Sequence, residues 1–244
     1  MERSAPAAQG GSRGRIAFFD TLRGFTIVSM VCFHAAYDAA YLYGIDMPWF
    51  AGTVFQAVWR ASISWVFLLL AGWMTSLSHS NLRRGAVYAA AAAAVWAATS
   101  IASVDTAITF GILFCMAAST LLYAAARPVL DHVPPEAGLA VFLIAFVLTL
   151  GVPQTRYAFG GLAWLGFPGP GFSSGDYYPM IPYTFLYLAG AMAARLFGRL
   201  RASGYPAWMK RDLIPPLTAL GKHSLIVYLV HQPLLIVLFD LLTG

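Results

Sequence analysis

The chain has 244 residues, of which 59% are hydrophobic and only 10% charged, with a net charge of +5 at neutral pH and a mean hydropathy of +0.70. Soluble domains usually carry about 25% charged residues, so this composition excludes a water-soluble globule and makes a bilayer the solvent. The positive charge does not call for nucleic acid, because basic residues in a membrane protein mark the loops that stay in the cytoplasm.

The opening segment, residues 1–15, is polar and rich in Gly, Ala and Arg, and the apolar run after it is broken by Asp20 and Arg23. That pattern is a disordered cytoplasmic tail and not a signal peptide, and residues 16–244 then form a single transmembrane helical domain. Apolar periodicity and turn residues place spans near 16–40, 53–79, 84–101, 107–126, 137–152, 179–197 and 216–240. Gly44, Asp46 and Pro48 separate the first two, Arg83 and Arg84 turn the chain into the third, and Ala89 to Ala94 give the third a bare surface on which neighbours can pack closely. Residues 153–175 form the longest loop, rich in Gly, Pro and aromatic residues. Alternate loops collect Arg3, Arg13, Arg15, Arg83, Arg84, Arg127, Arg199, Arg201, Lys210 and Arg211 on one side against Arg156 on the other, which puts the N-terminus inside and the C-terminus outside. The expected fold is an all-α polytopic bundle of about seven transmembrane helices. Cys32 and Cys115 both lie in apolar spans and read as packing residues.

Ionisable side chains inside a span are costly unless paired or turned toward a cavity, so each marks a candidate site. At 100° per residue Asp20, Arg23, His34 and Asp38 share an arc of roughly 60° on the first helix, a polar stripe that runs about 16 Å from Arg23 to His34. Asp20 and Arg23 have the spacing of an intrahelical ion pair with Arg23 reaching the lipid phosphates. His34 and Asp38 are one turn apart, as in a plain interhelical hydrogen-bonding pair or as in a general base oriented by a carboxylate. In the last span Ser224, Tyr228 and His231 share a face, followed by Gln232 and by Pro233, which leaves the Leu229 carbonyl without its helical donor. Arg60 lies within the second span and needs a carboxylate or a ligand anion, with Asp38 and Asp176 as candidates. His79 and Asp105, near span ends, read as solvated, His223 as interfacial, and Trp49 and Tyr177 as members of an aromatic belt. His34, Asp38 and His231 are the one set able in principle to hold a metal, but no metal motif is present and none is expected.

The segment FDTLRGFTIVSMVCFHAAYD, with Arg23 and His34 separated by ten residues, resembles the first helix of the transmembrane acyltransferase superfamily. The segments ITFGILFCMAASTLL, GDYYPMIPYTFLYLAG and LGKHSLIVYLVHQPLL follow in the order found in the compact bacterial form of the heparan-alpha-glucosaminide N-acetyltransferase-like family, and the resemblance covers nearly all of the chain after residue 15. Two features depart from the pattern: Phe114 stands where many relatives have a histidine, and seven spans are fewer than larger members of the superfamily have.

The resemblance implies transfer of an acyl group, acetyl in the first instance, from cytosolic acyl-CoA to an extracytoplasmic hydroxyl or amine of a sugar, glycan or glycolipid. It makes His34 the general base or acyl carrier and His231 the matching last-helix histidine, and the residue reading adds Asp38 as their catalytic companion. The resemblance gives Arg23 to the coenzyme and matches Asp176 to the family's acidic residue; the residue reading places Asp20 with Arg23, and Arg60, Tyr177, Tyr228 and Gln232 with Asp176 at the substrate. An oxyanion donor is needed, and Gln232, Arg60 or the backbone near Pro233 can supply it. Acetyl-CoA is the expected donor, membrane lipids and a small-molecule or glycan acceptor the expected partners, a homo-oligomer is compatible, and a bacterial cytoplasmic membrane is the expected location. The competing reading from the residues is a transporter or an acyl-CoA- or lipid-binding membrane protein that uses the stripe as a relay.

Overall fold

In a computed structural model, residues 16–102 and 105–243 are described, so the expected tail at 1–15 lies outside them. Helix α1 (Ala17–Tyr37) runs on through a π-helical turn at Asp38–Leu42. It is followed by α2 (Val54–Trp73), α3 (Asn81–Ala102), α4 (Ile112–Leu130), α5 (Pro135–Leu148), α6 (Met180–Leu200), α7 (Ala207–Lys210), α8 (Pro215–Lys222) and α9 (Ser224–Thr243). Among the described residues seven segments are long and apolar enough to cross a bilayer: Ala17–Leu42, Val54–Ser76, Asn81–Ala102, Ile112–Leu130, Pro135–Gln154, Met180–Leu200 and Ser224–Thr243. Large apolar side chains such as Val54, Leu148, Ile226, Leu234 and Leu241 stand exposed on them, which only a lipid surround makes favourable. The chain is a polytopic helical membrane protein.

The two ends of the bundle are chemically different. At one, the start of α1 meets the ends of α2 and α6: Phe19 packs on Trp73 and Tyr205, and the Trp73 indole donates to the Tyr205 hydroxyl at 2.9 Å. Arg83, Arg127, Arg199 and Arg201 are carried by helix ends of this basic end. At the far end the segments before α4 and before α6 are knitted together. Ser174 bonds the Thr109 backbone in both directions, at 2.9 and 2.8 Å, and the Tyr178 N–H donates to the Phe110 carbonyl at 2.9 Å. Phe110 takes a left-handed conformation (φ 60°), rare for a bulky residue, and its ring packs on Phe114 and Phe172.

The last span differs from the expected 216–240. The helix breaks at His223 (φ −110°, ψ 18°), giving a short α8 and a spanning α9. The reason lies in α8's contact with α1. A β-carbon on Gly24 would collide with the Leu217 carbonyl, and one on Gly221 with the Asp20 carbonyl, so two glycines let the backbones touch. Thr21 and Thr218 share a hydrogen bond at 2.7 Å across that contact, and Thr218 donates to Asp212 at 2.6 Å. Docked there, α8 cannot also continue in line with α9. His223 is exposed at the break.

Two packing expectations are corrected. Cys115 is fully buried in the core with Tyr187, Ala191 and Met192, but Cys32 is exposed on the outer face of α1. The alanine run of α3 is covered only in part: α3 packs closely on α4, with Gly85 against Leu121 and Ala91 buried, while Ala89, Ala90, Ala93 and Ala94 stay exposed. The rest of that face borders an apolar groove of about 550 Å³ between α3 and α4.

Candidate active site

A cavity of about 1200 Å³ runs through the bundle, from Arg23, Ser78 and Arg84 at the basic end to Gln56, Arg60 and Asp176 at the far end. The polar stripe of α1 faces it in part: Arg23 and His34 line it, while Asp20 and Asp38 are buried behind them. Asp20 and Arg23 make the expected intrahelical pair, 2.9 Å between Oδ1 and Nη1.

Halfway along, His34 of α1 meets His231 of α9, with ring centroids 4.8 Å apart and planes inclined at 60°. The Nδ1 of His231 lies 2.6 Å from the Tyr228 carbonyl. A carbonyl only accepts, so Nδ1 carries the proton, and in the neutral ring Nε2 then holds a bare lone pair. That Nε2 is buried and has no hydrogen-bond partner among the described residues. The structure thus joins the two spans that the sequence singled out and fixes one tautomer.

The expected orientation of His34 by Asp38 is not made. The Asp38 carboxylate has no exposed surface and accepts from Gln232 Nε2 of α9 with both oxygens, at 2.9 and 3.0 Å. No hydrogen bond links it to His34. The one-turn register itself holds, since the Asp38 N–H donates to the His34 carbonyl and the π-helical turn begins only at Asp38, but the Asp38 side chain is committed to α9. The same bonds remove Gln232 from the list of oxyanion donors, because its amide nitrogen is occupied and the atom left over, Oε1, is an acceptor without a partner. Asp38 and Gln232 are a clamp between α1 and α9. Tyr228 lines the cavity one turn before His231, and Pro233 sits inside α9 as read.

At the far end Arg60 also lines the cavity, and none of the carboxylates proposed for it pairs with it. Asp176 is used elsewhere: its Oδ2 accepts from the Ile112 N–H at 3.2 Å and caps α4, a helix start without a side-chain cap of its own from Gly111. Burial pushes the Asp176 carboxyl up to about 6, against the pull of the Ile112 N–H and the Arg60 charge. Tyr177 belongs to no belt: it is half-buried, lines the cavity and donates to the Ala163 carbonyl at 2.6 Å. Asp105 lines the far mouth, its Oδ1 accepting from the Thr106 N–H. Trp49 is exposed, as a belt residue is.

Arg84, in the sequence one of the topology-setting charges, turns inward. Its Nη2 donates to the Ala71 carbonyl at 2.9 Å and to the Tyr187 hydroxyl at 2.6 Å, Tyr187 continues to Thr120 at 2.8 Å, and Nε is buried without a partner. The signal was present: Arg83 and Arg84 are adjacent, so a helix points them about 100° apart and only one can face the loop side. Phe114, the departure from the family pattern, lines the apolar groove and not the main cavity. Among the described residues no three His, Cys, Asp or Glu side chains converge as metal ligands.

No curated protein and no solved structure matches the chain. A family described as heparan-alpha-glucosaminide N-acetyltransferase, catalytic, matches residues 15–233, a range that takes in Arg23, His34, Arg84, Asp176 and His231. The chain therefore belongs to the heparan-alpha-glucosaminide N-acetyltransferase family and is a membrane acetyltransferase.

Proposed function

We propose that the protein transfers an acetyl group from acetyl-CoA, held from the basic end, to a hydroxyl or amine acceptor that enters from the far end. The observation that carries this reading is the single cavity joining an arginine end to a histidine pair. In the bilayer the basic end is cytosolic, as basic asymmetry requires, and a bacterial cytoplasmic membrane is the natural setting. Arg84 offers an unpartnered Nε at that end and Arg23 lies beside the same opening, which suits the phosphates of a coenzyme. Arg23 and His34 are about 16 Å apart along the helix, a separation that an extended pantetheine arm spans.

The acceptor's nucleophilic atom attacks the thioester carbonyl while His34 takes its proton, with the His231 Nε2 lone pair beside it to stabilise the charged ring. Collapse of the tetrahedral adduct breaks the carbon–sulfur bond, and the proton passes to the departing sulfur. The Tyr228 hydroxyl is the donor placed for the oxyanion, since Gln232 is committed to Asp38. Expected partners are membrane lipids and a sugar, glycan or glycolipid acceptor.

Purified His34→Ala protein should lose acetyl transfer by about 100-fold or more while keeping its melting temperature; turnover near the wild-type rate in that variant would sink the assignment. A cavity open along the whole bundle also suits a carrier. Consumption of the thioester separates the two, since a carrier would bind acetyl-CoA and never release free coenzyme.

A further inference from the structure

The apolar groove of about 550 Å³ between α3 and α4 is a second cavity beside the acetyl-transfer chamber. Ala92 and Ala93 on α3 and Ala117 and Ala118 on α4 line it, side chains too small to fill the space between the two helices. No charged side chain lines it, and Trp96 and Leu121, which do, are exposed on the surface of the bundle, so the groove opens to hydrocarbon. From Gly111 at the far end it runs to Leu121, about 15 Å along α4 and about half the thickness of a bilayer's apolar core. The groove therefore belongs to the far leaflet. Its inner wall is shared: Val95, Ile108, Leu113 and Tyr228 line both the groove and the main cavity, and Tyr228 stands one turn before His231. Ile108 adjoins the far mouth, which Asp105 and Thr106 also line.

We propose that this groove holds one hydrocarbon chain of a lipid-borne acceptor, a glycolipid of the far leaflet whose head passes over Ile108 into the chamber. The position of the groove selects the acceptor and not the coenzyme, because it starts at the far end and stops midway, short of the basic end. A chain that moves from the bilayer into the groove leaves no water behind, so the groove sets where the lipid lies and the head supplies the affinity. The depth of the histidine pair sets the kind of head. His34 lies about 12 Å along the helix from Leu42, where the far end of α1 and its π-helical turn is reached. An ethanolamine head is too short for that descent, and an extended glycan makes it. The inference rests on the reading of the main cavity as an acetyl-transfer site and adds to it that the acceptor arrives sideways from the bilayer.

The test is photo-crosslinking of the full chain in lipid nanodiscs with two lipids that share one diazirine-bearing chain and differ in the head. One head is a glucosamine disaccharide, the other choline, which has no hydroxyl or amine to acetylate. The glucosamine lipid is expected to label Trp96, Phe114 and Leu121 tenfold or more above Val141 and Ile144, which are exposed on α5, whereas the choline lipid labels the two sets alike. Ala93→Trp, which fills the groove from its open side, should remove the enrichment. Ala90→Trp, equally exposed on α3 but outside the groove, should keep it. Even labelling of both sets by both lipids would mean annular lipid only, and equal enrichment of the choline lipid a structural lipid that is no acceptor. Either result, or an enrichment that survives Ala93→Trp, would overturn the proposal. Labelling is read without acetyl-CoA, so the two readings fail separately. An enriched groove in a protein that never consumes acetyl-CoA removes the enzyme reading alone. Acetylation of free glucosamine without any enrichment removes the lipid reading alone.

Discussion

Removing Gln232 should leave the Asp38 carboxylate buried with nothing to hold it. In the native protein that carboxylate has no exposed surface, and its two contacts, at 2.9 and 3.0 Å, both come from one amide nitrogen. Truncating one partner of a buried hydrogen-bonded charge costs about 3–5 kcal/mol, because the remaining charge is unpaired. For a chain of this size that corresponds to a fall of roughly 6–20 °C in melting temperature. Gln232→Leu, which keeps volume but not the donor, should show it in a thermal-shift assay on detergent-solubilised protein. Asp38→Asn should not: an asparagine still accepts from Gln232 Nε2, and its own N–H₂ can donate to the Gln232 Oε1 that now lacks a partner. Its stability should stay within about 1 kcal/mol of wild type, and its acetyl transfer within about tenfold, because Asp38 makes no hydrogen bond to His34. If Gln232→Leu melts with the wild type, the clamp is not structural. If instead Asp38→Asn folds normally and loses activity 1000-fold or more, the carboxylate acts on the imidazole after all.

Arg84→Gln should raise the KM for acetyl-CoA by about 10- to 150-fold with kcat little changed, the loss of one hydrogen bond between charged groups; an unchanged KM in a correctly folded variant would take Arg84 out of the donor site. For Asp176 the folded-state value near 6 lies above the unfolded carboxylate's. The folded chain therefore holds the proton more tightly, and the stability this gives is fully present below pH 4 and lost as pH rises through 6. Asp176→Asn keeps an oxygen for the Ile112 N–H but does not titrate, so the unfolding free energy of wild type relative to this variant, read from melting curves, should fall between pH 4 and 7 by on the order of 3 kcal/mol at most; a difference independent of pH in that window would contradict it.

Seven spans were legible because each needs about 20 apolar residues, a signal carried by composition alone. The His34–His231 meeting was half legible. Each histidine stood out as a polar group in an apolar helix, but no rule of spacing relates position 34 to 231, and the pairing follows from α9 docking beside α1. Asp38 was misassigned for a related reason. Four residues along the helix do place it one turn from His34, but its carboxylate turns to Gln232, a partner 194 positions away that leaves no mark in local periodicity. The break at His223 was hidden because residues 216–240 are apolar throughout; only Gly24 and Gly221, 197 positions apart in the chain, make the close contact that ends α8.

The clamp and the histidine pair come from neighbouring positions, 34 and 38 one turn apart on α1 and 231 and 232 in sequence on α9, and their chemistry is divided accordingly. Gln232 follows His231 directly, so an α9 position that binds Asp38 through Gln232 also fixes how far the His231 ring stands from His34. Tyr228, one turn earlier, holds the His231 proton on Nδ1 through its backbone carbonyl and at the same time lines the cavity with its side chain. A carboxylate hydrogen-bonded to His34 would orient its ring and raise its basicity, and here Asp38 is bound to α9 instead. By engaging Asp38 with an amide, the fold keeps a buried negative charge satisfied and leaves both rings free to be neutral, the state in which a general base must begin.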